Sequence, residues 1–134
     1  MMLKTILVDD EVSCTDILHW QLETYCKEQV EVLTQCNSAQ LALERIAALK
    51  PDLVFMDIDL KGANGLDLIK FVNAKTKVLF ITAFPDFAVK AFEYNTIDYI
   101  VKPISFDRLK KALSRLDVFE DAEEDNLEEK PTKN

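Results

Sequence analysis

Short apolar runs alternate with stretches of helical period along this chain. Leu3–Val8 is rich in β-branched and aliphatic residues, as in a strand buried on both faces. From Val12 to about Lys27, Cys14, Ile17, Leu18, Leu22 and Tyr25 recur at helical spacing. Val30–Cys36 predicts a second strand. Ser38 is placed to cap a helix whose inner face is Ala39, Ala42, Leu43, Ile46 and Leu49, and Pro51 closes the connection after it. Leu53–Met56 predicts a third strand ending at Asp57. A loop over Lys61–Gly65 follows, then a helix marked by Leu66, Ile69 and Val72 or Asn73. Val78–Ile81 predicts a fourth strand ending at Thr82, Asp86–Tyr94 a short helix, and Asp98–Val101 a fifth strand ending at Lys102-Pro103. Ser105 is placed to cap a last helix with Phe106, Leu109, Leu113 and Leu116 inside.

Five such strand–helix units predict an α/β domain: a parallel sheet covered by helices on both faces, with right-handed crossovers. Among doubly wound arrangements, five strands suit the flavodoxin-like (βα)5 sandwich with strand order 2-1-3-4-5. Ligands of such sheets sit beyond the carboxyl ends of the strands. At those ends stand Asp9, Asp10 and Glu11, then Asp57, Thr82 and Lys102. Any one of these polar residues could merely mark a turn. All of them sharing one sheet edge makes a candidate site.

Clustered carboxylates repel and need a cation or a proton. A few oxygen ligands with open positions suit Mg²⁺, or Mn²⁺, which keeps waters and takes phosphate oxygens. Lys102 offers a point charge for a phosphoryl oxygen, and Thr82 offers a hydroxyl donor. A free carboxylate can itself attack phosphorus and become an acyl phosphate. Phosphoryl transfer asks mainly for positioning and charge neutralisation, which this set provides.

Composition narrows the field. The chain has 134 residues, 24 acidic and 16 basic, for a net charge of −8. Eight of the acids and only two lysines fall in residues 117–134, a net of −6, so the rest of the chain is nearly neutral. We divide it into a domain over 1–117 and an acidic linker, tail or helix extension over 118–134. Neither part has the basic surface that nucleic acid requires. With two glycines, the sequence has no GxGxxG or GxxxxGK[ST] phosphate loop. Three cysteines without a CxxC suggest reduced thiols of a cytoplasmic protein. No apolar run approaches the roughly 18 residues of a membrane span. Met1–Val8 meets Asp9-Asp10-Glu11 before a signal-peptide core could develop.

The runs Ile6-Leu7-Val8-Asp9-Asp10-Glu11, Asp57-Ile58-Asp59, Ile81-Thr82-Ala83 and Tyr99-Ile100-Val101-Lys102-Pro103 resemble the receiver domain of two-component response regulators, over about residues 3–117. Thr82-Ala83-Phe84, Ala91-Phe92-Glu93-Tyr94-Asn95 and Asp98-Tyr99 resemble more narrowly the receivers that precede LytTR-type DNA-binding domains. The resemblance implies a signalling domain that catalyses only its own phosphorylation and dephosphorylation. Asp57 would accept a phosphoryl group from a sensor histidine kinase. Asp10 and Asp57 would ligate Mg²⁺ directly, with Asp9 binding through water or orienting, and the main-chain carbonyl of Asp59 as the third protein ligand. Lys102 would pair with Asp57 or its phosphoryl group. Thr82 would bond the phosphoryl and move, Tyr99 would change rotamer, and the surface of the fourth helix, fifth strand and fifth helix would change. The Lys102-Pro103 bond would be cis. Homodimerisation and an effector domain beyond residue 134, the sole route to DNA, would carry the output.

Two positions depart from or vary within that pattern. Lys61 stands where receivers usually carry proline, which predicts a more mobile loop. Asp59 and Phe84 occupy positions that tune phosphoryl lifetime, and bulky Phe84 is expected to hinder attacking water. An exposed aromatic near the fourth helix, Phe87 or Tyr94, could serve a dimer contact. Lys110, Lys111 and Arg115 read either as a solvated face or as partners of Asp98 or Glu93 across a dimer. His19, far from the strand ends, is expected to be a surface residue. Two other functions stay open: a haloacid dehalogenase-like phosphohydrolase using Asp57 and Asp59, and a phosphorylation-independent binding module.

Overall fold

The computed structural model describes residues 2–94 and 96–116, so the segment 118–134 lies outside the described residues. β1 (Leu3–Val8), α1 (Val12–Tyr25), β2 (Val30–Cys36), α2 (Ala39–Leu49) and β3 (Leu53–Met56) follow one another. A hairpin of Asp59–Leu60 against Ala63–Asn64 leads into α3 (Gly65–Leu68) and a single 3₁₀ turn, Ile69–Phe71. β4 (Lys77–Thr82), a 3₁₀ turn at Pro85–Phe87, α4 (Ala88–Ala91) and β5 (Thr96–Val101) come next. Helix α5 covers 106–116. The five parallel strands take the order β2-β1-β3-β4-β5, the flavodoxin-like order expected.

Alternation along each strand divides the interior into two layers. Ile6 and Val8, Val54 and Met56, and Val78 and Phe80 face one side, where α2, α3 and α4 contribute Ala42, Ile46, Leu66, Leu68 and Ala91. Leu7, Leu53 and Phe55, and Leu79 and Ile81 face the other, against Leu18 and Leu22 of α1 and Leu109, Ala112, Leu113 and Leu116 of α5. Phe55 and Phe80 are fully buried on opposite faces, each worth about 2–3 kcal/mol of apolar transfer. The caps form as predicted. Ser38 Oγ accepts the Leu41 N–H and Ser105 Oγ accepts the Arg108 N–H, both at 3.2 Å.

Several local expectations change. On α1 the buried residues are Thr15, Leu18 and Leu22, while Ile17 and Tyr25 are more than half exposed. Thr15 is tolerated inside because its hydroxyl donates to the Val12 carbonyl and accepts the Asn37 amide. The loop after Asp57 forms a hairpin, turning at Gly62 with φ 76°. The exposed aromatics around α4 are Phe84 and Phe92. Phe87, in the 3₁₀ turn, and Tyr94, after α4, are half-buried and packed against the core.

Candidate active site

Strand register builds the site. Val8 of β1 pairs with Met56 of β3, and Met56 pairs with Phe80 of β4, so Asp9 and Asp57 leave neighbouring strands at the same level. Thr82 pairs with Val101 of β5, one residue before Lys102. Main-chain bonds continue past the strand ends: Asp57 N–H donates to the Val8 carbonyl (3.0 Å), Asp9 N–H to Cys36 (3.1 Å) and Lys102 N–H to Thr82 (2.7 Å). The sheet thus fixes the site residues through their backbones.

Lys102 Nζ bridges two carboxylates, at 2.6 Å from Asp9 Oδ2 and 3.0 Å from Asp57 Oδ2. Burial opposes the ammonium charge, but the hydrogen bonds to Asp9 and Asp57 outweigh it and push the Lys102 pKa up, so the side chain is cationic. Burial raises the Asp9 carboxyl above its ordinary value. Lys102 and the Glu11 N–H pull against that shift, and the Asp57 charge adds to it. Three carboxylates thus gather beside one ammonium group. Carboxylate oxygens of Asp9, Asp10 and Asp57 lie within 4.8 Å of one another, a hard-oxygen set whose charge and donor type suit Mg²⁺ or Mn²⁺.

Thr82 is fully buried, and its Oγ1 accepts the Phe84 N–H at 3.3 Å. Tyr99 points inward from β5, and its hydroxyl donates to the Phe84 carbonyl. The loop after Thr82 is thereby tied to both β4 and β5. Asp59 exposes its side chain while its N–H donates to Asp57 Oδ1 at 3.1 Å. The Lys102-Pro103 bond is cis. His19 lies apart, bonded to Glu23 and Gln35.

Three features escaped the sequence reading. Gly65 packs so closely behind Asp57 that a β-carbon there would lie 2.2 Å from the Asp57 carbonyl oxygen. Both glycines of the chain fall within eight residues after Asp57, which was the available signal. Cys14 Sγ lies 3.5 Å from Lys102 Nζ, and burial pushes its thiol pKa up. Asp98 is buried inside the domain and paired within the same chain. Arg108 grips it with both terminal nitrogens (2.7 and 2.9 Å), and Arg115 reaches it at 3.1 Å. Burial alone would raise the Asp98 pKa, but the arginines and the Tyr99 N–H bring it below the ordinary value. This ion pair pins α5 to β5.

A five-stranded parallel α/β sandwich with three carboxylates, a lysine and a threonine at its strand ends is a receiver domain of two-component signalling. The response regulator receiver domain family matches residues 5–114, and the chain belongs to it. A response regulatory protein of Shewanella oneidensis is 40% identical over 117 residues, which are 86% of this chain and 49% of that protein. The transcriptional regulatory protein BtsR of Escherichia coli K12 is 34% identical over 119 residues, 86% of this chain and 48% of BtsR. The response regulatory domain of MrkE from Klebsiella pneumoniae superposes with a TM-score of 0.76 at 31% identity, covering 86% of this chain and 95% of that one. The chain therefore spans about half the length of the curated relatives it matches. Membership in this family removes the dehalogenase-like alternative. No described helix is long and apolar enough to cross a membrane.

Proposed function

We propose that Asp57 is the phosphoacceptor of a switch driven by a sensor histidine kinase in the cytoplasm. The observation that carries this reading is the Lys102 bridge between Asp57 and Asp9 at the edge where β1, β3 and β5 end. An Asp57 oxygen attacks phosphorus of a phosphohistidine, the P–N bond breaks, and the imidazole leaves with the electron pair. Asp57 then carries an acyl phosphate. Asp10, Asp57 and the Asp59 carbonyl would hold Mg²⁺ or Mn²⁺, with Asp9 orienting. When bound, the metal supplies charge neutralisation at the phosphoryl oxygens. Lys102 stays beside Asp57 and pairs with the phosphoryl group as its charge develops. The Thr82 hydroxyl donates to a phosphoryl oxygen.

Drawing Thr82 inward shifts the segment that Phe84 and Tyr99 share, and through it the surface of α4, β5 and α5. That surface exposes Val89 (82%), Phe92 (50%) and Val101 (43%), apolar side chains suited to a homodimer contact on phosphorylation. The matched span is about half the length of the curated relatives, which supports an output carried by an effector domain. The name of BtsR and the motif resemblance support a transcriptional output through a LytTR-type DNA-binding domain.

Acetyl phosphate with Mg²⁺ tests the reading. Labelling is expected to saturate at one phosphoryl group per chain, with no continuous turnover of a small phosphomonoester. Sustained turnover without a labelled chain would overturn it. Phe84, exposed next to Thr82, is expected to slow hydrolysis of the acyl phosphate. In a decay assay of the labelled protein, Phe84→Ala is expected to lose its label severalfold faster. An unchanged decay rate contradicts that role.

A further inference from the structure

Packing does not close the gap between α1 and the segment that leads from β5 into α5. A cavity of about 460 Å³ lies there, within the size range of small-molecule sites. Leu7, Phe55 and Ile81 of β1, β3 and β4 line it, with Leu18 of α1 and Ile104, all on the α1–α5 side of the sheet. Ile17, more than half exposed, marks where it meets solvent. Its polar border is unbalanced. Asp9, Glu11 and Asp57 stand against one cation, Lys102, which already holds both Asp9 and Asp57. Glu11, the N-cap of α1, is exposed, and its carboxylate has no hydrogen-bond or ion-pair partner among the described residues. Acceptor atoms of Asp9, Glu11 and Cys14 lie within 4.8 Å of one another.

We propose that this cavity binds a small molecule with an apolar body and one primary ammonium group, the ammonium on Asp9 and Glu11 and the body against Leu18, Phe55 and Ile104. Charge selects the ligand. Three carboxylates against one lysine leave the border net negative, so a cation is attracted and a carboxylate or phosphate is repelled. The donor count fits as well. An ammonium group has three N–H donors; at about 2.9 Å and in tetrahedral spread, their acceptors stand about 4.7 Å apart, which Asp9, Glu11 and Cys14 Sγ can meet. Asp9 has capacity for one more donor. Its Oδ1 accepts the Glu11 N–H and its Oδ2 the Lys102 ammonium, while a carboxylate offers about four lone-pair positions. The apolar body adds affinity by leaving water, which a bare ammonium or metal ion cannot do.

Titration of the chain in metal-free buffer, followed by amide NMR, tests this with four matched probes. Phenylethylammonium carries both features, methylammonium the head alone, phenylethanol the body alone, and phenylpropanoate the body with the opposite charge. Phenylethylammonium is expected to bind with a Kd of about 1 mM or tighter, and each other probe at least about tenfold more weakly. The amides it shifts are expected to include those of Leu7, Cys14, Leu18 and Ile104. Glu11→Gln, which keeps the shape of an exposed side chain, is expected to weaken phenylethylammonium about tenfold. Ile104→Trp is expected to fill the cavity and abolish binding while unfolding stays cooperative; should it fail to fold, the probe series and Glu11→Gln still decide. Methylammonium, phenylethanol or phenylpropanoate binding as tightly as phenylethylammonium overturns the proposal. So does an unchanged affinity in Glu11→Gln or in folded Ile104→Trp, or a set of shifted amides that leaves out the cavity.

Discussion

Gly65→Ala is expected to destabilise the domain by roughly 3 kcal/mol or more, at the upper end of overpacking effects. The added β-carbon would stand 2.2 Å from the Asp57 carbonyl oxygen and 3.1 Å from its carbonyl carbon. Those are backbone atoms, so no side chain can turn aside to relieve the contact. The Gly65 N–H also donates to the Ile58 carbonyl at 2.7 Å, which holds the start of α3 against the end of β3. Relief requires moving either that bond or Asp57. Gly62→Ala is the natural control. Its position has φ 76° and nothing within 4 Å, so only left-handed strain of about 1 kcal/mol applies. Urea unfolding measures both, as a fall in midpoint at unchanged slope. Equal losses in the two variants contradict the close-approach argument. A folded Gly65→Ala protein is also expected to accept phosphoryl groups poorly, because its acceptor has been displaced.

Removing the site's cation has the second large consequence. Lys102→Ala leaves Asp9 and Asp57 buried side by side without their shared partner. Breaking a buried pair by deleting one member costs about 3 kcal/mol, and that loss is expected in metal-free buffer. Two conditions should repair it. Mg²⁺ binds only the folded state and replaces the missing charge, so it is expected to raise the melting temperature of Lys102→Ala more than that of the parent. Acid should also help, by the following signs. In the parent, the raised Lys102 pKa means that its stabilisation is present below the ordinary lysine value and fades as pH climbs through the folded value. The raised Asp9 pKa means that its ionised form costs stability above the folded value, a cost relieved as pH falls through it. Without Lys102 that cost grows. The stability gap between variant and parent is therefore expected to narrow as pH is lowered from neutral into the acid range. Melting curves in parallel buffers measure it, and a gap that widens on acidification would contradict the account.

Much of this was readable in the chain because the strands are buried on both faces. Near-continuous apolar runs leave little doubt where they end, and the polar residues that follow them define the site edge. Asp9, Asp57, Thr82 and Lys102 stood out for that reason, and the register then brought them together. Helix α1 was less readable because apolar residues occur all around it. Val12, Ile17, Trp20 and Tyr25 are exposed, while polar Thr15 is inside. Only the neighbours decide which face is buried, and Asn37 on the β2–α2 connection is what makes Thr15 acceptable there. The partners of Asp98 within the chain were hidden for a related reason. A carboxylate in a strand looks like a surface charge until its cations are located, and Arg108, in the first turn of α5, is ten residues further along the chain. Gly65 showed itself only through a distance, since no periodicity reports how near two backbones come.

The most direct test is the intact mass of the chain after incubation with acetyl phosphate and Mg²⁺, compared with that of Asp57→Asn. Asparagine keeps the shape of the side chain and should leave the fold in place, but it removes the nucleophilic carboxylate. The account predicts a gain of one phosphoryl group in the parent and none in Asp57→Asn, with both proteins showing cooperative unfolding. A phosphoryl group that persists in folded Asp57→Asn would place the acceptor elsewhere and contradict the assignment of Asp57.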